Sequence, residues 1–171
     1  MFSEAVRMEY CTGKRKGNKD MGYTGINLHV KVSNLDDVES INRYLNAFSL
    51  KDKYVKQKNY LTVNSNIVSF ENFEEIATDI SNSLNCNVLV ALVFDSDVSV
   101  LQGYIRGKKK FEEVKSVEEN QKMDRENFVK DFFPECELSE FNNILDNEDY
   151  LYAEETLFKL SDIVGIRLLD Q

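Results

Sequence analysis

The sequence predicts an α+β fold, with a mixed or antiparallel sheet, helices packed on one side of it, and a helical C-terminal segment. Apolar patterns typical of strands, with helical patterns between them, occupy about residues 1–117. Helical spacing alone occupies about residues 122–166. The chain has one proline, Pro134, and no Gly/Ser-rich stretch that would mark a linker. We therefore expect a single α+β domain over residues 1–171.

Two alternating stretches near the N-terminus predict half-buried strands. In residues 2–10 apolar side chains fall on one face, and in residues 26–32 they alternate with polar side chains, among them His29. Residues 12–24, between the two stretches, are rich in glycine and in basic side chains, which is typical of a long hairpin loop.

Two helices are expected in the next part of the chain. Asn34 can cap a helix whose apolar residues recur at helical spacing up to Phe48, and Asn72 precedes a second helix with the same spacing. Between these helices, residues 60–70 are predicted to form two strands around a turn at residues 64–66.

The longest apolar run predicts the centre of the sheet. Residues 88–94 are apolar at every position, which is typical of a strand covered on both faces. The acidic turn 95–97 follows, and residues 98–105 form the second strand of a hairpin that leads to another turn at residues 107–109.

Helical patterns dominate the rest of the chain. Asp124 can cap a helix that Pro134 ends, and a short apolar segment follows around Phe141. The last helix has one apolar stripe, and Gly165 is placed as its C-terminal cap.

Composition excludes several classes of protein. The formal net charge of −9 and the pI of about 4.7 oppose nucleic-acid binding, although the basic runs 14–16 and 108–110 could contact phosphates. No run approaches the ~18 apolar residues of a membrane span, and no secretory signal is recognisable. Three scattered cysteines are not a disulfide framework, so we expect a cytoplasmic protein that binds neither membrane nor nucleic acid.

Few residues suggest catalysis. A lone His29 cannot supply a multi-histidine metal site, no cysteine has an obvious base partner, and no phosphate-binding or nucleophile motif occurs, so we expect no cofactor. The sharpest catalytic pattern is Phe94-Asp95-Ser96-Asp97-Val98-Ser99, which resembles the first motif of haloacid-dehalogenase-type phosphatases. That resemblance implies Asp95 as nucleophile and Asp97 as acid/base beside Mg²⁺. An acidic hairpin turn explains both residues without catalysis.

Negative charge is concentrated near the C-terminus. Residues 131–171 contain eleven acids against Lys159 and Arg167, a net charge of −9 that equals the charge of the whole chain. This pattern indicates either an ordinary solvated face or a surface for a basic protein partner. The predicted partner-binding residues are Asp146, Glu148, Asp149, Glu154 and Glu155.

A family resemblance favours the second interpretation. Phe94-Asp95-Ser96-Asp97, together with Tyr152-Ala153-Glu154-Glu155 and residues 160–166, resembles small bacterial immunity proteins, which neutralise polymorphic or contact-dependent toxins. The resemblance implies a non-enzymatic protein that binds a basic toxin domain, such as the C-terminal domain of a secreted toxin. The Mg-dependent phosphohydrolase built on Asp95 and Asp97 remains the alternative.

Overall fold

The computed structural model describes residues 22–33, 35–47, 54–63, 68–116 and 120–170. Within these ranges the chain forms seven strands and five helices. The strands are β1 (Gly25–Lys31), β2 (Tyr54–Gln57), β3 (Tyr60–Val63), β4 (Asn87–Phe94), β5 (Val98–Ile105), β6 (Lys108–Lys115) and β7 (Asn120–Gln121). The helices are α1 (Leu35–Ala47), α2 (Phe73–Ser83), α3 (Arg125–Phe132), α4 (Leu138–Leu145) and α5 (Ala153–Val164).

The strands form one sheet in the order β2-β3-β1-β4-β5-β6-β7, and every neighbouring pair is antiparallel. The predicted α+β class is therefore confirmed, and of the two sheet types left open the antiparallel one is observed. β4 lies fourth among the seven strands, as its continuous apolar run predicts.

Both faces of β4 are buried, because helices cover the sheet on each side. Residues 88–93 are 0% exposed. Val88, Val90 and Leu92 pack with α1 and α2, whereas Leu89, Ala91 and Val93 pack with the three C-terminal helices. The predicted helices on one side are α1 and α2, and the helical C-terminal segment covers the opposite face.

Two helix ends show local capping chemistry. Asp124 accepts a hydrogen bond from Asn127 N at 3.2 Å, which satisfies one free amide at the start of α3. Gly165 ends α5 with a φ of 70°, in the left-handed region that favours glycine. The predicted caps Asp124 and Gly165 are confirmed, and α3 ends just before Pro134 as expected.

The half-buried character predicted for residues 26–32 is wrong. Asn27 and His29 are 2% and 0% exposed, because the segment after α5 covers their face of β1. Leu168 O accepts hydrogen bonds from Asn27 Nδ2 at 3.2 Å and from His29 Nε2 at 3.0 Å. These polar side chains satisfy a buried carbonyl of a distant segment, which the alternation alone does not reveal.

Two further predictions of strands and turns need correction. β3 ends at Val63, and residues 68–70 are not a strand, so β3 forms its hairpin with β2, through a turn at Lys58 and Asn59. Residues 108–110 belong to β6, and the turn before them is at Arg106 and Gly107. Each turn places a non-glycine residue, Lys58 or Arg106, at a positive φ, which few residues other than glycine favour.

Several predicted features lie outside the described residues. They are the strand at residues 2–10, most of the loop 12–24 with its basic run 14–16, the cap Asn34, Phe48 and the turn 64–66. Among the helices that the structure describes, none combines the length and apolar character needed to cross a bilayer.

Candidate functional site

The five carboxylates predicted to bind a partner lie along the connection between α4 and α5. Asp146 follows α4, Glu148 and Asp149 lie in the connection, and Glu154 and Glu155 are in the first turn of α5. We call residues 146–155 the acidic loop. The positive end of the α5 dipole stabilises acids in its first turn, so the last two positions also have a structural explanation.

Asp146 is engaged within the chain. Its Oδ1 lies 2.9 Å from Lys122 Nζ, and its Oδ2 lies 3.0 Å from Arg125 Nη1. The hydrogen bond from Lys122, followed by that from Arg125, holds the pKa of Asp146 below its usual range. Its negative charge is thus largely compensated by residues of this chain, which makes Asp146 a weak candidate for contact with a basic partner.

Behind Asp146 lies a buried ion pair. Glu113 is 5% exposed, and its carboxylate accepts hydrogen bonds from Arg125 Nε at 3.1 and 3.0 Å and another from Arg125 Nη2. Met123 N also donates to Glu113 Oε2 at 3.2 Å. This network joins β6 to the start of α3 and fixes the side chain that holds Asp146.

Glu154 and Glu155 also have partners within the chain. Ser96 Oγ donates to Glu154 Oε1 at 2.8 Å, and Ala153 N donates to Ser96 O at 2.9 Å. Glu155 Oε2 accepts from Leu151 N at 3.0 Å, so it holds the backbone just before its own helix. Glu154 therefore helps to position α5 against the β4–β5 turn, and Glu155 orders the residues that precede α5.

Glu148 and Asp149 are the two predicted residues whose side chains remain available for contact with a partner. Both are exposed, and neither forms an ion pair with another described residue. The side chains beside them, Leu151 and Tyr152, are 84% and 55% exposed but are not among the predicted contact residues. The available signal was their position, because both precede α5 and fall outside the apolar stripe that anchors it.

The structure places Asp95 and Asp97 in the β4–β5 turn. Asp95 and Ser96 have φ angles of 51° and 58°, and Asp97 N donates to Phe94 O at 3.1 Å, as in a tight hairpin turn. Asp95 Oδ1 accepts from Gly22 N at 3.2 Å, so the carboxylate holds the segment before β1. Within the part of the chain that is described, no three His, Cys, Asp or Glu side chains are grouped as a metal site requires.

Burial shifts the pKa of two other side chains, His29 and Cys86, so that each is neutral at neutral pH. His29 Nδ1 lies 2.9 Å from Thr62 Oγ1, and burial lowers the pKa of His29 to about 4. Burial raises the pKa of Cys86 to about 12, which keeps this half-buried thiol protonated at neutral pH.

Two shallow cavities lie at the end of β4 opposite the Asp95 turn. They have volumes of about 540 and 470 Å³ and share Asn85 and Asn87 in their walls. The larger cavity is lined by the exposed cations Arg106, Lys108 and Lys110 together with the two asparagines, Asp131 and Ile105. These cavities lie away from Asp95 and Asp97, so neither forms an active site around the phosphatase-like motif.

Comparison of the chain with protein-family models, with curated proteins and with solved structures found no match.

Proposed function

We propose that this chain is a non-enzymatic binding protein that neutralises a basic bacterial toxin domain in the cytoplasm by direct contact. The acidic loop supplies the binding surface. The partner is a cationic protein, such as the C-terminal domain of a secreted toxin, rather than a nucleic acid or a membrane.

One observation carries the proposal. Glu148 and Asp149 project from the acidic loop as exposed carboxylates that have no ion pair with another described residue. They belong to the segment 131–171, whose net charge is −9. A field of one sign on one part of a protein accelerates encounter with an oppositely charged partner by roughly 10 to 10³-fold.

The hydrogen bonds of Asp95 support a binding role over the phosphohydrolase alternative. A carboxylate that acts as nucleophile must face a substrate and Mg²⁺. Here Asp95 Oδ1 is used by Gly22 N, and Asp95 N donates to Thr24 Oγ1 at 3.0 Å. Both contacts give the residue a structural task in the turn.

The experiment starts from the gene immediately upstream of the one that encodes this chain. We expect that gene to encode a large protein with a basic C-terminal domain. That domain should stop bacterial growth when it is produced alone, and growth should return when this chain is produced with it. A neighbour without such a domain, or a toxic domain against which this chain gives no protection, would contradict the proposal.

A second measurement separates the alternative. Calorimetry with Mg²⁺ and an assay with a generic phosphate ester are performed on the parent and on Asp95→Asn. Micromolar Mg²⁺ binding that is lost in the variant, together with turnover by the parent, would replace the binding proposal with the phosphohydrolase.

A further inference from the structure

Leu151 and Tyr152 are the large hydrophobic residues that the described part of the chain exposes to solvent, at 84% and 55%. Single exposed apolar side chains are common and carry no meaning by themselves. These two are adjacent in sequence and lie within the acidic loop, between Asp149 and Glu154. Their surroundings therefore decide whether they have a role.

The backbone around these two side chains is held in place on the α5 side. Leu151 N donates to Glu155 Oε2 at 3.0 Å, and Glu155 N donates to Tyr152 O at 3.2 Å. The next residue is fixed to the sheet, because Ala153 N donates to Ser96 O at 2.9 Å. The pair is thus presented from an ordered turn rather than from an unconstrained tail.

The α4 side of the loop is held by Lys115. Its Nζ donates to Leu145 O at 3.4 Å and to Asn147 O, and it lies 5.5 Å from the centre of the Tyr150 ring. Hydrogen bonds from Lys122 and Arg125 to Asp146 fix the same end of the loop. Ordering the loop in advance removes much of the conformational entropy that a partner would otherwise have to overcome.

The charges around the pair select the partner. Glu148 and Asp149 precede it in sequence, and Glu154 and Glu155 follow it, so four carboxylates flank the pair along the chain. A symmetric contact with a second copy would bring these carboxylates against the same carboxylates, which is unfavourable. A partner with cationic groups around an apolar pocket would complement both the charge and the apolar centre.

We propose that Leu151 and Tyr152 are the apolar anchor of the acidic loop, and that they insert into an apolar pocket with a cationic rim on a protein partner. This inference deepens the proposed function and rests on it for the identity of the partner. Interface energy is concentrated in a few buried anchor residues, among which tyrosine is enriched, within a polar rim. In this arrangement the acids determine the association rate, and the anchor determines how long the complex lasts.

The first probe is the basic C-terminal domain encoded by the upstream gene, in a catalytically inactive form. The variants are Leu151→Ala, Tyr152→Ala and the double variant, with exposed Lys159→Ala as the matched control. The double variant should dissociate at least ~10-fold faster than the parent, because the loss of a central anchor typically has an effect of this size. Its association rate should change by less than about three-fold. Because both side chains are exposed, the melting temperature should stay close to that of the parent.

The second probe does not depend on the toxin. It is a pair of synthetic 12-residue peptides of equal charge, one alternating Arg and Leu and the other alternating Arg and Ser. Amide chemical shifts of the parent should move at residues 148–155 with the Arg/Leu peptide, and the Arg/Ser peptide should bind more weakly. The double variant should bind the two peptides equally.

The two probes separate the possible failures. If the parent protects against the toxin and the double variant dissociates at the parent's rate, the anchor is wrong and the proposed function stands. If the parent fails to bind the toxin domain, the proposed function is wrong, and a preference for the Arg/Leu peptide at residues 148–155 still supports the anchor. Equal binding of both peptides by the parent would then overturn the anchor. A concentration-dependent dimer of the parent that the double variant abolishes would assign the loop to a second copy and also overturn the inference.

Discussion

Ser96 Oγ donates a hydrogen bond to Glu154 Oε1 across 2.8 Å and thereby joins the β4–β5 turn to the first turn of α5. The residues are 58 positions apart in sequence. A carboxylate that the charge pattern assigns to a partner therefore has a structural task. Its effect on binding has to be separated from its effect on folding.

Removing this contact should lower stability. Glu154→Ala leaves Ser96 Oγ without its acceptor, and we expect the free energy of unfolding to fall by about 1.5–3 kcal/mol, as for other hydrogen bonds to a charged group. Asp149→Ala, at an exposed position of the same loop, should stay within about 0.5 kcal/mol of the parent. Urea unfolding of the two variants checks this, and equal stabilities would show that the Ser96–Glu154 bond contributes nothing.

Charge at the centre of the sheet should unfold the protein. Val90 is 0% exposed and packs against α1 and α2, so Val90→Asp places an unpaired carboxylate in the core. The cost of several kcal/mol is a large part of a typical stability of ~5–15 kcal/mol. Circular dichroism should show loss of the folded state, whereas exposed Lys159→Asp should melt like the parent. A Val90→Asp protein with the parent's melting temperature would mean that β4 is misplaced.

The two cations that hold Asp146 should differ strongly in their importance. Arg125→Met leaves the charge of Glu113 buried and unpaired, which should cost about 3–5 kcal/mol. Lys122→Met removes an ion pair whose side chains are 64% and 47% exposed, and it should cost less than about 1 kcal/mol. The double variant Arg125→Met/Glu113→Leu should regain most of the lost stability, because no unpaired charge remains. Chemical denaturation of the three variants measures these differences, and a similar cost for Arg125→Met and Lys122→Met would contradict the assignment of a buried pair.

How much the sequence predicts differs between the fold and the site. The β4 run and the Gly165 cap are local signals, and the structure confirms both. The β2–β3 hairpin was missed, because its turn at Lys58 and Asn59 lacks a typical turn sequence and depends on a positive φ. Local patterns determine which segments become strands and helices, but they do not show which turn joins two weak strands.

The site was harder to predict because it depends on distant partners. Net charge indicates the acidic segment, but it cannot show that Lys122 and Arg125 compensate Asp146, or that Ser96 holds Glu154. The buried state of His29 likewise depends on Leu168, 139 positions away. Such contacts arise only when separate elements pack together, so the number of available acids is smaller than the sequence suggests.

Stability should depend on pH through His29. Burial lowers its pKa in the folded protein to about 4, whereas an exposed imidazole titrates near 6.5. As pH falls through about 6.5, the unfolded chain therefore takes up a proton and the folded chain does not. The free energy of unfolding falls by up to roughly 3 kcal/mol by pH 4. His29→Gln should reduce this loss between about pH 6.5 and 4.5, above the range where most carboxylates titrate. Because the chain has one histidine, NMR titration of its ring protons is unambiguous, and a midpoint near 6.5 in the folded protein would contradict the burial of His29.

The association rate with the upstream-encoded toxin domain tests most directly whether the exposed acids of the acidic loop attract a basic partner. The variant is Glu148→Lys/Asp149→Lys, and the control is Glu39→Lys/Glu71→Lys. The control makes the same change of charge at exposed positions near α1 and α2, on the opposite face of the sheet. At low salt we predict that the loop variant associates at least ~10-fold more slowly than the parent, and that the control changes much less. The difference between the two variants should shrink as salt is added. A loop variant that is folded and associates within about two-fold of the parent's rate at low salt, where screening is weakest, would contradict the account.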